Sequence, residues 1–570
     1  MPLLSTGDYR PDVSDYEGQA TRNILNVIPR GDGYGPFPSF SAYTTALPSA
    51  CRGAFYALKS DGTVVTFAGT NTKLYKLNNT DFTWTDVSLG GGAYNALSST
   101  AQWQFAQTGN LVFATQANAL LQVFDLSSAT TFINALGTPA PPQAAYISVV
   151  GRFLVLSGLL SNPFRIQWSG LNNFNTATSW DGVTAGSDHQ DFPDGGIVRG
   201  VAGGEAGIIF QDQAIRRMSY VPGSPIIFQI DRITQDKGLY APYSIIRAGE
   251  RIFFYAGQGF HKIEPGGVPE QIGREKVDRT FLADLDNGNL RLFIGAADPR
   301  STRVYWAYKS ISGAVGTYDK LLGYDFLLDR FFPVLSTGEY LLGISQTGLT
   351  LENLDTLAPG TIAITGAASN GGPNFIRIQL GSTATLTTGQ IISISGVVGT
   401  TEANKEGWVI TVIDGTHFDL QGSTFTNAYV SGGTIAGSLD AMTLSLDAYA
   451  TAVQPEIAQF SSAHLLGFFR GANLEATMES AEQGTDENRI TIQGFRPITD
   501  AATLYGSVSY RDAPSATAIS GAEVPINART GRCDVRRDTR YSRFKVRIPA
   551  ATSWTFCAGV IPDLTTGGTL

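Results

Sequence analysis

The densest grouping of titratable side chains is Asp188-His189-Gln190-Asp191-Phe192-Pro193-Asp194, three carboxylates and an imidazole in one short stretch. Oxygen-rich sets of this kind suit hard cations, although a solvated loop between strands has the same composition. Asp284-Leu285-Asp286-Asn287-Gly288-Asn289 misses the calcium-loop register and reads as a turn. Gly31-Asp32-Gly33-Tyr34-Gly35-Pro36 has the glycines of a phosphate cradle, but it neither follows an apolar strand nor opens a helix. It too reads as a turn. The four histidines, His189, His261, His417 and His464, stand far apart, and HExxH is absent. CxxC, GxSxG and the Walker phosphate loop are missing as well, which removes thiolate zinc sites, the hydrolase elbow and nucleotide hydrolysis. Cys51, Cys533 and Cys557 are few and odd in number, so they imply no disulfide framework. The expectation is a chain that is not an enzyme and carries no cofactor or metal.

The remaining chemistry is cationic. Between residues 529 and 547 lie eight basic side chains, Arg529, Arg532, Arg536, Arg537, Arg540, Arg543, Lys545 and Arg547, against two acids, Asp534 and Asp538. Arg543, Lys545 and Arg547 alternate with Phe544, Val546 and Ile548, so on a strand the three cations share one face. Such a stripe either meets a phosphate backbone or pairs with acidic neighbours, on a strand face or at a subunit interface. Arg216 and Arg217 precede an aromatic-rich strand and are candidates for a subunit contact, with a salt bridge at a sheet edge as the alternative.

The elements that must position these groups are strands. Of 570 residues, 43% are hydrophobic, 11% aromatic and only 16% charged, with 64 glycines. Lysine-rich or glutamate-rich helical stretches are nearly absent, and the profile is all-β. A net charge of −9 argues against a bulk nucleic-acid-binding surface while permitting a local basic stripe. The amino-terminal residues lack the pattern of a secretory signal. The most apolar stretch, residues 146–160, is broken by Gly151 and Arg152 into a pair of strands, so no membrane insertion is expected. The chain reads as soluble and made in a reducing cytosol.

One pattern repeats from Phe55 onward: an apolar strand, a tight turn, a second apolar strand and a third ending in aromatic or basic residues. The turns at Gly109, Gly151, Gly204, Gly249 and Arg300 are spaced by 42 to 53 residues, the length of a four-stranded propeller blade. A β-sandwich is the alternative reading. Residues 359–437 differ, being almost uncharged and rich in Thr, Ser, Gly and Ile, with clean alternation in Gln390-Ile391-Ile392-Ser393-Ile394-Ser395. They read as a small barrel inserted through a surface loop, flanked by the similar segments Leu351-Glu352-Asn353-Leu354-Asp355 and Leu439-Asp440-Ala441-Met442-Thr443-Leu444-Ser445-Leu446-Asp447. The expected organisation is an N-terminal arm (1–45), a β-propeller (46–358), the inserted β-barrel (359–437), a return to the propeller (438–475) and a C-terminal β-sandwich-like domain (476–570).

Tyr9-Arg10-Pro11-Asp12 and Asn26-Val27-Ile28-Pro29-Arg30-Gly31-Asp32-Gly33 open a series of motifs. It continues through Phe192-Pro193-Asp194-Gly195-Gly196, Gly203-Gly204-Glu205 and Phe210-Gln211-Asp212-Gln213-Ala214-Ile215-Arg216-Arg217-Met218-Ser219-Tyr220. Gly259-Phe260, Ile272-Gly273, Lys276-Val277-Asp278-Arg279, Asp298-Pro299-Arg300, Tyr305-Trp306, Arg540-Tyr541-Ser542-Arg543-Phe544-Lys545-Val546-Arg547-Ile548-Pro549 and Ser553-Trp554-Thr555 follow in order. In that order they resemble the tail hub or nozzle proteins of short-tailed bacteriophages, also described as packaged-DNA stabilisation proteins. The inserted piece, through Gly399-Thr400-Thr401-Glu402-Ala403-Asn404 and Thr416-His417-Phe418-Asp419-Leu420, resembles the first catalytic-cysteine half-domain of ubiquitin-activating enzymes. It has no cysteine, so no thioester chemistry accompanies it.

The resemblance implies a structural virion protein of the phage tail, synthesised in the host cytoplasm. Its partners would be itself in a six-fold ring, portal and adaptor proteins, tail fibre or spike proteins, and packaged double-stranded DNA. It would help retain and then eject the genome. The stripe Arg536, Arg537, Arg540, Arg543, Lys545 and Arg547 would then face DNA or a neighbouring subunit. The alternative from another class is a carbohydrate-binding or glycan-cleaving propeller acting as a host adhesin, although no Ser-x-Asp-x-Gly-x-Thr-Trp turn occurs. A peptide-binding scaffold has only the lone Ser179-Trp180-Asp181-Gly182 in its favour.

Overall fold

Local pairing dominates the chain. The computed structural model describes residues 3–14, 20–79, 81–224, 226–345, 362–372, 374–383, 386, 388–437, 455–484 and 488–566. These fall into two units, one of residues 1–77, 83–345 and 455–570 and the other of residues 346–454 with the short turn 78–82.

In the larger unit, five separate four-stranded antiparallel sheets follow one another along the sequence. Their first strands are Ala54–Leu58, Gln104–Thr108, Ala144–Val150, Val198–Ala202 and Ile246–Ala248. Each sheet is a meander in which a turn returns the chain one strand further out. Gly109 and Gly151 make two of these turns at φ of 56° and 55°, a conformation that glycine adopts without a Cβ penalty. The second strands are sandwiched between adjacent sheets, so Phe153–Leu159 and Gly207–Gln211 are almost wholly buried.

A curled seven-stranded sheet completes the circle. Its pivot is the sixteen-residue strand Arg330–Ser345. Residues 330–338 of this strand pair with Tyr318–Asp325, and residues 338–345 pair with Pro455–Ser461 across a register shift near Gly338. The first part is therefore the outer strand of a sixth blade that begins at Ile294–Ala297. The second part is the inner strand of a seventh, which continues through Pro455–Ser461 and Leu465–Asn473 and ends on Pro38–Ala46. Residues 338–345 pack against both Ile294–Ala297 and the inner strand of the first blade. The approach is so close that a Cβ on Gly343 would sit 2.9 Å from the Ala297 carbonyl oxygen. Five separate blades plus two in the curled sheet make a seven-bladed β-propeller.

The C-terminal residues form a six-stranded and a seven-stranded sheet. Phe495, Val508, Phe544, Val546 and Trp554 belong to the core between them, which is continuous with Tyr305, Tyr318 and Phe332 of blade six. This arrangement corrects the expectation of an N-terminal arm. Strands Ile24–Leu25, Val27–Arg30 and Gly33–Pro36 are members of the C-terminal sheets, and Pro38–Ala46 closes blade seven. The physical reason is that Ile24, Val27, Tyr34 and Phe37 are all apolar and at most 3% exposed.

The smaller unit contains a closed six-stranded barrel. In barrel order its strands are Ile362–Ser369, Ile376–Leu380, His417–Leu420, Lys405–Val412, Ile391–Val398 and Ser431–Gly437. Alternate Ile364, Ile376, Ile378, Ile392, Ile394, Ile410 and Phe418 fill it. In chain order it lies between the first and second strands of blade seven. The two Leu/Asp flanking segments, residues 359–361 and residues 438–454 lie outside the described residues.

Candidate functional site

At the propeller axis the inner strands converge on a cavity of about 180 Å³, lined among others by Gln104, Tyr146, Tyr243, Ile294 and Tyr340. The Tyr146 and Tyr243 rings lie 6.1 Å apart, and the Gln102 N–H donates to the Tyr243 hydroxyl at 2.9 Å. Burial pushes all three tyrosine hydroxyls far above their ordinary ionisation range. With Ile147, Val201 and Ile294 these neutral phenols make the lining of the cavity largely apolar.

The acidic stretch at 188–194 does not converge on a point. Asp188–Asp191 is the exposed outer strand of blade three. Asp191 accepts from Arg165 Nε and Nη2 at 2.6 and 2.9 Å, and this pairing holds its carboxyl below the usual carboxylate range. Among the described residues, no group of three or more His, Cys, Asp or Glu side chains is placed to hold a metal ion. The thiols are equally quiet. Burial raises Cys533 to about 11 and Cys557 to about 12, and pushes Cys51 higher still, which leaves no thiolate nucleophile at neutral pH.

Asp194 instead joins a knot with the motif at 210–220. Arg216 is 7% exposed. Its Nε donates to Gln211 Oε1 at 2.9 Å and its Nη2 to Asp194 Oδ1 at 2.6 Å, while the guanidinium lies 4.8 Å from the Phe192 ring centre. Arg232 takes the other oxygen of Asp194, and the buried Gln211 amide donates to the carbonyls of Phe192 and Gly196. Arg216 thus ties blade three to blade four inside the chain, the salt-bridge alternative given for it. Its neighbour Arg217 points the other way on the alternating strand and donates to the Gly267 carbonyl at 3.0 Å.

A second knot gathers motifs even more distant in sequence. Asp278 opens the short helix Asp278–Asp284 and is 8% exposed. It accepts from the Phe260 N–H at 3.0 Å and from Gln271 Nε2 at 2.9 Å. Side chains on Gly259 or Gly273 would overlap it, since Cβ atoms there would stand 2.2 and 1.9 Å from its oxygens. Asp12 reaches the same helix end and accepts from the N–H groups of Arg279 and Thr280 at 2.7 and 2.9 Å. The Tyr9-Arg10-Pro11-Asp12 motif is therefore an N-cap supplied from the far end of the chain.

This knot has a pH signature. Burial, with the nearby Asp12 charge as a lesser cause, raises the Asp278 carboxyl from 3.8 to about 6. Between those values the folded chain retains a proton that the unfolded chain releases. The stability contributed is therefore full below about pH 4 and is lost as pH rises through about 6. Asp278→Asn keeps an acceptor for Phe260 without the charge. The expected result is a gain of about 1–3 kcal/mol at pH 7 that vanishes near pH 4, measured as urea midpoints at both values.

The basic stripe has the expected alternation: along Tyr541–Ile548, Phe544, Val546 and Ile548 are buried while Arg543, Lys545 and Arg547 are half-buried. Part of its charge is matched by acids. Arg547 pairs with Glu475 at 2.9 Å and Glu523 at 2.7 Å beneath the Tyr505 ring, and Arg543 lies 3.5 Å from the buried carboxylate of Glu482. Arg532 pairs with Asp534 and Asp563. Arg537 stacks 5.4 Å from the Tyr510 ring centre. Arg536 is exposed, Arg540 and Lys545 are half-buried, and none of the three forms an ion pair among the described residues. Apart from Asp534, the acids that pair with the stripe come from segments distant in sequence, so local composition overstates its field.

These strand pairings define a β-propeller protein with a closed barrel inserted in one blade. No family model matches the chain, and no curated protein matches it. Solved structures with similar strand arrangements include the RRP9 WD40 repeats, at 8% identity over 69% of this chain and all of that one, with a TM-score of 0.32. YCF48 bound to D1 peptide is 12% identical over 52% of this chain and 86% of that one, with a TM-score of 0.31. Dihydro-heme d1 dehydrogenase NirN in complex with DHE is 11% identical over 69% of this chain and 78% of that one, with a TM-score of 0.30.

Proposed function

We propose that the chain is a structural subunit of the tail hub or nozzle of a short-tailed bacteriophage. It assembles with copies of itself, six by the family pattern, below the portal and adaptor and alongside tail fibres or spikes. It acts by assembly rather than catalysis, lining the exit path of packaged double-stranded DNA. The observation that supports this reading most is the fate of the ordered motifs that resemble the family. Motifs separated by up to several hundred residues meet in the Asp194–Arg216 and Asp12–Asp278 knots, so they specify one fold rather than a row of unrelated turns. A net charge of −9 with one confined basic stripe also suits a path along which a duplex must slide, because many free phosphate contacts would hold it.

Negative-stain imaging with a light-scattering mass, for the protein alone and with its adaptor ring, tests the assignment. A closed ring with a bore wide enough for duplex DNA is expected. Deleting residues 359–437 is expected to leave that ring intact, because in chain order the barrel stands between two paired strands of blade seven. A persistent monomeric disc in both conditions would overturn the assignment and favour the carbohydrate-binding propeller, which a glycan screen would then examine.

A further inference from the structure

The barrel has a groove that its closure does not require. On its outer surface three neighbouring strands align two rows of side chains. Ala368, Arg377 and Asp419 form one row, and Gly366, Gln379 and His417 the other. The segment carrying Phe425 and Tyr429 forms the opposite wall, leaving an open space of about 500 Å³ between them. Gly366, Ala367 and Ala368 keep the floor low, which is why the space is not filled from below.

The walls are fixed before any ligand arrives. The Phe425 N–H donates to the Asn374 carbonyl at 2.9 Å. The Tyr429 hydroxyl lies 2.9 Å from the Gly432 carbonyl and 3.2 Å from that of Ile364. Arg377 grips the 7%-exposed Asp419 with Nε and Nη2 at 2.7 and 3.0 Å, and Asn370 adds a third bond to the same carboxylate at 3.0 Å. His417 Nδ1 lies 3.0 Å from the Asp414 carboxylate, which orients the ring and leaves Nε2 for a ligand.

We propose that this groove binds a neutral saccharide. Three features select that class. The polar groups are planar and pre-oriented: a guanidinium edge, an amide and an imidazole, which suit vicinal hydroxyl groups. Phe425 and Tyr429, half-buried against the barrel core, keep part of each ring in the groove lining, an apolar surface for the C–H side of a pyranose. The charge cancels locally, because Arg377 is matched by Asp419. Across residues 362–437, Arg377 and Lys405 stand against Glu402, Glu406, Asp414 and Asp419, which disfavours polyanions. The volume falls within the range of small-ligand sites. The inference concerns the barrel alone and holds whether or not the chain forms a ring.

Saturation-transfer NMR on the full chain tests it, using glucose, galactose, mannose, N-acetylglucosamine and their disaccharides, with sialyllactose and heparin fragments as charged probes. Transfer to at least one neutral sugar is expected. His417→Ala and Gln379→Ala, both surface changes, should each weaken binding by about tenfold without moving the melting temperature. Phe425→Ala should abolish it, and Arg217→Ala in the propeller should leave it unchanged. Transfer to none of the neutral sugars, transfer only to the charged probes, or binding indifferent to both His417→Ala and Gln379→Ala would each overturn the proposal.

Discussion

Removal of residues 1–46 is expected to cost the chain its folded propeller and C-terminal sheets together. The segment supplies the outer strand of blade seven and four strands of the C-terminal sheets. It also buries Ile24, Val27, Tyr34 and Phe37. At about 1.5–3 kcal/mol for each fully buried side chain, these four alone contribute roughly 6–12 kcal/mol. That is comparable to the whole stability of an ordinary domain, about 5–15 kcal/mol. Gel filtration and thermal unfolding followed by circular dichroism provide the measurement. A monodisperse truncated protein melting within a few degrees of the full chain would show the segment to be a detachable arm after all.

The second large effect is expected at Arg216. Arg216→Ala leaves Gln211 Oε1 without its donor in a buried site and leaves Asp194 with Arg232 alone. Losing one partner of a buried ion pair costs about 3–5 kcal/mol. Asp194 is 43% exposed, so water recovers part of that and about 2–3 kcal/mol is the expected loss. Arg216→Lys should not restore it, because one ammonium cannot reach both Gln211 and Asp194 while lying over Phe192. Arg217→Ala should change stability by less than about 0.5 kcal/mol. Urea unfolding of the three variants is the measurement. Unchanged unfolding of Arg216→Ala combined with weakened self-association would restore Arg216 as an intersubunit residue.

Blades two to six were legible in the sequence because their pairings are local: each hairpin is announced by alternation and a turn residue within a few positions. Blade seven was not. Its four strands come from residues 38–46, 338–345 and 455–473, and no window of sequence contains them all. The barrel was visible as a change in composition, and the isoleucines at 376, 378, 392 and 394 already alternated toward its interior. Among the candidate sites, the alternation of Arg543, Lys545 and Arg547 was readable. The pairing of Arg543 with Glu482 and of Arg547 with Glu475 and Glu523 was not, because it depends on which segments become neighbours. Asp12 carried no local signal either, since the helix it caps begins at Asp278.

The outer strand of blade seven also sets a schedule. Pro38–Ala46 leaves the ribosome early, but its partner Leu465–Asn473 follows more than four hundred residues later. At about 5–20 residues per second the gap is roughly 20 to 85 s. Throughout it the nascent chain holds an unclosed arc of blades with an unpaired edge at either end. Neighbouring chains on one message expose the same complementary edges at the same time. Strand exchange between them is therefore a hazard of synthesis that the finished molecule no longer presents.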